Sequence, residues 1–147
     1  MNWFPILLVI HIALAVSLLV PSVVVPFLMR RASGPPGPVV RALLAMSGTG
    51  TLVIAAGLAI TGAAMLWILG PELLTQPWLL VALVIYAANL VVAASISRPN
   101  LRRLVGLRAG DDAEWRRRAR QQRWIAYGMA AGIGVIGFLM STKPALW

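Results

Sequence analysis

Four long apolar stretches constrain this sequence more than any other feature. They cover residues 3–29, 42–69, 78–97 and 124–142. A helix needs about 20 mainly apolar residues to cross a hydrocarbon layer about 30 Å thick, and each stretch has roughly that length or more. None of the stretches alternates apolar and polar residues in the way that barrel strands do. The sequence therefore predicts an all-α bundle of four transmembrane helices, with residues 1–147 as a single transmembrane domain.

Composition excludes most other classes of protein. The chain is 60% hydrophobic and 12% charged, whereas soluble domains carry about 25% charged residues. Its polar surface is too small to cover a water-soluble globule of this size. Because the sequence contains no cysteine, disulfide scaffolds, thiolate metal sites and cysteine nucleophiles are also excluded.

Basic residues predict the orientation of the bundle. All of them except Lys143 lie in segments 30–41 and 98–123, which separate the first stretch from the second and the third from the fourth. Cytoplasmic loops of membrane proteins carry such an excess of lysine and arginine. We therefore expect both segments to be cytoplasmic loops and both termini to lie on the outer side. This asymmetry accounts for the net charge of +9, so no nucleic-acid partner is expected.

Tryptophans mark the same two interfaces, since indole rings favour the headgroup level of a bilayer. The expected outer set is Trp3, Trp67, Trp78 and Trp147, and the expected inner set is Trp115 and Trp124. Their positions agree with the orientation that the basic residues predict.

The second cytoplasmic segment contains the signal of a helix start. Asp111 is a suitable N-cap residue, and Glu114 follows three positions later. We expect a short amphipathic basic helix here that leads into the fourth span. Its arginines include Arg116, Arg117, Arg118 and Arg120. Membrane lipids with anionic headgroups are their expected partners, and a phosphate-bearing ligand or a docked protein is the alternative.

Small residues predict where helices pack closely. Gly128 and Gly132 form a G-x-x-x-G motif in the fourth stretch, and Gly62 lies among small residues of the second. In lipid, close approach of backbones at such residues supplies much of the packing between helices. The glycines therefore predict packing within the bundle, or against another integral membrane subunit or a second copy of the chain.

Polar side chains in the middle of the stretches are the best functional candidates, because they are costly in lipid. At about 1.5 Å per residue, His11, Thr61 and Tyr86 share one layer roughly 12 Å below the outer interface. One imidazole can supply one ligand to haem b iron or copper, with Thr61 and Tyr86 beside it, and which metal is left open. The simpler interpretation, which we favour, is that His11 hydrogen-bonds Thr61, Tyr86 or a backbone carbonyl and binds no cofactor.

Several short motifs resemble those of a group of bacterial membrane proteins. They are His11-Ile12-Ala13-Leu14-Ala15, Phe27-Leu28-Met29-Arg30-Arg31, Leu101-Arg102-Arg103-Leu104 and Phe138-Leu139-Met140-Ser141-Thr142-Lys143-Pro144. With them the chain resembles small four-helix membrane proteins akin to the copper-resistance D and protoporphyrinogen oxidase J families. The resemblance implies a place in the bacterial cytoplasmic (inner) membrane and, from the haem-associated relatives, a haem ligand at His11. The tryptophan and glycines that follow the histidine in those relatives are replaced here by Val16-Ser17-Leu18-Leu19-Val20.

Two functions follow from these patterns. The sequence contains no recognisable nucleophile–base pair, carboxylate pair or phosphate-binding loop, so enzyme activity is not expected. The first function is a non-catalytic accessory or structural subunit of a larger membrane complex, of the respiratory or photosynthetic type. Its partners would be membrane lipids and other integral membrane subunits, or a second copy of the chain. The alternative is a haem- or copper-binding membrane redox protein that uses His11.

Overall fold

A computed structural model of the chain describes residues 3–31 and 34–144. Trp147, which we expect at the outer interface, lies outside the described residues. The helices are α1 (Phe4–Arg31), α2 (Pro38–Leu69), α3 (Pro77–Val92), α4 (Arg98–Gly106) and α5 (Asp112–Thr142), with a 3-10 turn at Pro71–Thr75 and a π-helical turn at Ala93–Ser97.

The prediction of an all-α architecture with four spans is confirmed. Four helical segments are long and apolar enough to cross a membrane, namely Phe4–Arg30, Pro38–Leu69, Pro77–Gly106 and Asp112–Thr142. Strands are absent from the residues that the structure describes. α1 continues as a helix through Pro21 and Pro26, and Pro26 is buried.

The predicted boundaries need correction at the arginine-containing segments. Residues 98–123, expected to form a loop with one short helix, are helical except for 107–111. α3 continues through the π turn into α4, where Leu101 and Leu104 are buried against the rest of the chain. The basic helix is the first part of α5 and leads into the fourth span without a break, as expected. Apolar burial, which a count of charges does not register, therefore extends the helices beyond the expected membrane edge.

The connection between the first two helices is also shorter than the loop expected over residues 30–41. α1 ends at Arg31 and α2 begins at Pro38, with proline in the first turn of α2. Proline is tolerated there because the first backbone N–H groups of a helix have no partner within the helix. Gly70 ends α2 with a φ of 99°, which glycine adopts readily, and the 3-10 turn leads into α3.

The helices pack around α1 and α5. α1 contacts both α2 and α5, α5 contacts α3, and α2 contacts α4. One buried cluster lies at the end of the bundle that carries the arginines, here called the arginine-rich end, and contains Val25, Met29, Leu44, Leu101, Leu104, Trp115 and Ala119. A smaller cluster lies at the opposite end and contains Trp78, Leu79, Ala82 and Leu139.

Candidate functional site

His11, Thr61 and Gly62 come together between α1 and α2. The Nδ1 atom of His11 lies 2.8 Å from the Thr61 hydroxyl oxygen. A Cβ atom added at Gly62 would lie 3.3 Å from His11 Cε1, so the glycine allows the imidazole to approach α2 closely. The expected hydrogen bond between His11 and Thr61 is therefore confirmed. Gly62 takes part in the packing of α1 on α2.

The Thr61 hydroxyl has two backbone acceptors beside it as well as the imidazole of His11. The hydroxyl oxygen lies 3.0 Å from the carbonyl oxygen of Gly57 and 3.1 Å from that of Leu58. A threonine hydroxyl has one proton, and carbonyl oxygens can only accept it. With that proton donated to the backbone, His11 Nδ1–H donates to Thr61. The Nε2 atom of His11 then keeps a lone pair.

Tyr86 does not join His11, although both were expected in one layer. The Tyr86 hydroxyl donates to the carbonyl oxygen of Ala55 at 2.5 Å, which links α3 to α2. Ala55 precedes Thr61 by about 9 Å along α2, at 1.5 Å per residue. The two polar side chains thus make separate contacts with α2, and Thr61 is the hydroxyl beside the imidazole.

Among the described residues, Gly132 of the G-x-x-x-G motif lies at a contact between helices and Gly128 does not. Asn89 on α3 donates through Nδ2 to the carbonyl oxygen of Met129 at 3.3 Å. A Cβ atom at Gly132 would lie 2.6 Å from Asn89 Nδ2, so a side chain here would displace the Asn89 amide from its bond to Met129. At Gly128 no described atom lies within 4 Å of the same position. The packing role expected of Gly128 within the bundle therefore has no contact behind it.

A buried polar cluster at the arginine-rich end was not expected from the sequence. Gln122 on α5 donates through Nε2 to the Ser97 hydroxyl at 2.7 Å. Asn100 donates through Nδ2 to Gln122 Oε1 at 3.0 Å and lies 3.2 Å from the Arg118 carbonyl oxygen. All three side chains, Ser97, Asn100 and Gln122, are buried. They fasten the π turn and α4 to α5.

The spacing of buried residues in α5 is a signal that could have revealed this cluster. The buried residues follow one another at intervals of four and three: Trp115, Ala119, Gln122, Ala126 and Met129. Such spacing is typical of one buried helix face. Gln122 lies within this apolar series, which indicates a buried amide that needs partners.

The four arginines expected to contact lipid or a partner fall into two pairs. Arg117 Nη2 lies 2.9 Å from Glu114 Oε1, and Arg118 Nε lies 2.5 Å from the same oxygen atom. Both arginines therefore form ion pairs with Glu114. Hydrogen bonding from Arg117, together with Arg118, lowers the pKa of the half-buried Glu114 carboxyl to about 2. Arg116 and Arg120 are exposed. They are therefore the pair placed to meet headgroups or a partner.

The predicted helix start at Asp111 is confirmed, but its side chain is used differently. Asp111 is the N-cap residue of α5, and no hydrogen bond joins its side chain to the first turn. Its carboxylate instead accepts from the backbone N–H of Arg108 at 3.0 Å. The acidic group thus closes the short turn 107–111 between α4 and α5.

Two recesses are best defined among the described residues, and both lie at the arginine-rich end. The first, here called the Arg98 groove, has a volume of about 190 Å³ and is lined by Leu44, Ala45, Gly48, Thr49, Arg98, Leu101, Arg102 and Val105. The second has a volume of about 250 Å³ and is lined by Arg30, Arg123, Trp124 and Tyr127. His11 lines neither of them. The recesses that could receive a ligand are thus separate from the imidazole.

The imidazole of His11 does not belong to a metal-binding cluster in the described part of the chain. Within residues 3–31 and 34–144, no group of three or more His, Asp or Glu side chains is placed to hold a metal ion. His11 is thus a single candidate ligand. Comparison with known proteins found no matching family, curated protein or solved structure.

Proposed function

We propose that the chain is a non-catalytic subunit of a larger membrane assembly. A helix of the neighbouring subunit would bind the face of α5 that is directed away from the rest of the bundle. The observation that supports this most is a notch of small residues on that face. Ala131 and Gly134 lie one turn apart at its centre, since each residue of a helix advances about 100°. Tyr127 and Phe138 lie on the same line above and below them and are exposed. The neighbour can be another protein or a second copy of the chain.

The glycines of this face are not used inside the chain. No described atom lies within 4 Å of a Cβ position at Gly134, and the same holds at Gly128 and Gly137 on the margins of the face. Glycine in a helix interior costs about 1 kcal/mol relative to alanine. In lipid a second helix can offset this cost, because small residues let two backbones approach.

A matched pair of substitutions tests the subunit role. We expect Gly134→Leu to release the neighbouring subunit, since a leucine side chain would fill the notch. Ala88→Leu on the exposed face of α3 adds comparable bulk elsewhere and should retain the neighbour. The measurement is quantitative mass spectrometry of proteins that copurify with the tagged chain in mild detergent, with crosslinking to detect a second copy. Equal recovery of the same neighbours with both variants would refute the proposal.

The tautomer of His11 favours a second candidate function, a haem- or copper-binding redox protein. Histidines that bind metals almost always donate their other ring N–H to an oxygen, and here Thr61 would accept that bond at 2.8 Å. The remaining ligands would have to come from a methionine, a second copy or another subunit. The absorption spectrum of the chain purified after growth with added haem and copper tests this function. A Soret or copper band that His11→Gln removes would support it, and a featureless spectrum would count against it.

We further propose that the arginine-rich end faces the cytoplasm of a bacterial cell, with both termini outside. The support is the distribution of lysine and arginine between the two ends of the bundle. A reporter inserted at Gly110, in the exposed turn between α4 and α5, should be active in the cytoplasm. A reporter fused after Trp147 should be active outside. The opposite pattern in both fusions would reverse the orientation.

A further inference from the structure

We propose that the Arg98 groove binds the headgroup phosphate of an anionic phospholipid at the arginine-rich end of the bundle. The groove lies between α2 and α4, on a different side of the chain from the notch on α5. Lipid binding there is independent of the subunit role proposed above. It would also be more specific than a general attraction between basic residues and a charged membrane surface.

The positive charge of Arg98 and Arg102 favours binding of an anion in the groove. Arg98 and Arg102 lie one turn apart on α4 and both line the groove. The Nε atom of Arg98 is buried and has no hydrogen-bond partner in the described part of the chain. Both ion pairs within that part involve Glu114, so a carboxylate neutralises neither arginine there. A phosphate matches the fork of a guanidinium group and would supply acceptors for both side chains.

The remaining walls of the groove favour a lipid over a free ion. Its apolar wall is formed by the half-buried Val105, with the buried Leu44 and Leu101 behind it, and Gly48 packs beside Leu101. Thr49 is exposed and offers a hydroxyl group beside the arginines. The volume of about 190 Å³ is below the roughly 300–1,000 Å³ of pockets that enclose a whole small ligand. It suits a headgroup whose acyl chains continue outward along the apolar helices.

The depth of the groove also fits a headgroup. A hydrocarbon layer about 30 Å thick corresponds to about 20 residues of helix. Twenty residues back along α2 from Leu69, at the opposite end of the helix, lies Thr49. Counted from Pro77 at the start of α3, the same length ends next to Arg98. Thr49 on α2 and Arg98 on α4 therefore both lie at the depth expected for lipid headgroups.

Paired arginine substitutions test the site in the purified full chain. The probes are phosphatidylglycerol, phosphatidylcholine and inorganic phosphate, and binding is followed by native mass spectrometry and by the shift in thermal unfolding. We expect Arg98→Gln with Arg102→Gln to weaken binding of phosphatidylglycerol about tenfold or more, while phosphatidylcholine binding is unchanged. Arg103→Gln with Arg108→Gln removes the same charge from exposed positions outside the groove and should leave the affinity within about twofold.

A second variant separates loss of binding from loss of folding. Ala45→Trp should fill the groove while both arginines remain, and it should likewise abolish the stabilisation by phosphatidylglycerol. An equal loss of affinity in both arginine pairs would show a general charge effect and refute the site. Retention of full affinity by Ala45→Trp would do the same. Stabilisation by inorganic phosphate at the same concentration as by phosphatidylglycerol would show a free-phosphate site in place of a lipid site.

Discussion

The two halves of the bundle are held together in different ways. At the arginine-rich end, Trp115 is 1% exposed and buried side chains such as Gln122 and Asn100 bond to each other. In the part embedded between the ends, Tyr86 and Asn89 instead bond backbone carbonyl oxygens of neighbouring helices. Apolar burial stabilises structure where water is the alternative, whereas lipid offers no such contrast and leaves packing to small residues and hydrogen bonds. The same difference is expected if the arginine-rich end extends beyond the hydrocarbon layer of a membrane.

The largest expected effect tests the buried cluster at the arginine-rich end. Trp115→Ala would leave a cavity beside Leu104 and should lower the free energy of unfolding by about 3–5 kcal/mol. Trp67→Ala is the control, since Trp67 is 90% exposed and its replacement should change stability by less than about 0.5 kcal/mol. Thermal or denaturant unfolding of the purified chain in detergent measures both. Similar losses for the two variants would remove the distinction between the two halves.

The next effect tests packing in the embedded half. Gly132→Leu would place side-chain atoms where Asn89 lies and should cost about 3 kcal/mol, at the upper end of the overpacking range. Gly128→Leu, one turn away on the same helix, meets no described atom within 4 Å of its Cβ and should be tolerated by the isolated chain. The same unfolding assay compares them. Equal tolerance would mean that the contact between α3 and α5 can open at no cost.

The buried amide of Gln122 should have an intermediate effect. Gln122→Leu keeps a similar volume but leaves Ser97 and Asn100 without their partner, which should cost about 2 kcal/mol. Gln121→Leu makes the same change at an adjacent exposed position and should be nearly neutral. If the two variants have the same free energy of unfolding, the polar cluster contributes nothing measurable to the packing of α4 on α5.

The smallest expected effect concerns His11. His11→Gln retains a group that can bond Thr61 and should cost about 1 kcal/mol, as for an interhelical hydrogen bond in lipid. Ser17→Ala removes a hydroxyl that bonds only the Ala13 carbonyl of its own helix and should cost less. Unfolding curves of the chain without added cofactor measure this difference. A loss above about 3 kcal/mol from His11→Gln would contradict a simple bonding role.

Sequence reasoning succeeded where one variable, depth in the membrane, decides the outcome. Counting residues from the ends of the apolar stretches gave His11 and Thr61 the same depth, because helix rise is constant, and the structure selects Thr61 from the possible partners of His11. It did not predict the partner of Tyr86, since depth alone does not say toward which helix a side chain is directed. The spans themselves followed from apolar length.

Sequence reasoning was weakest at the arginine-rich end. The charges of residues 98–123 predict a loop that contains one basic helix, and they give no sign of α4, where Leu101 and Leu104 join the buried cluster. Charge sets where the hydrocarbon layer ends, but a helix ends only where burial and backbone bonding end. For that reason Ser97, Asn100 and Gln122 were missed as a group, and so was the Arg98 groove.

The π turn at Ala93–Ser97 determines which way each face of α4 is directed. Such a turn contains one more residue than an α-helical turn and advances the helix phase by about 100°. It ends two residues before Pro99, whose missing N–H an α-helix would have to accommodate. The turn acts as a one-residue insertion that sets the rotation of everything after it. Deleting one residue within 93–97 would regularise the helix and rotate Asn100 away from Gln122 and Arg98 away from α2, so that a shorter chain would lose two sites at once.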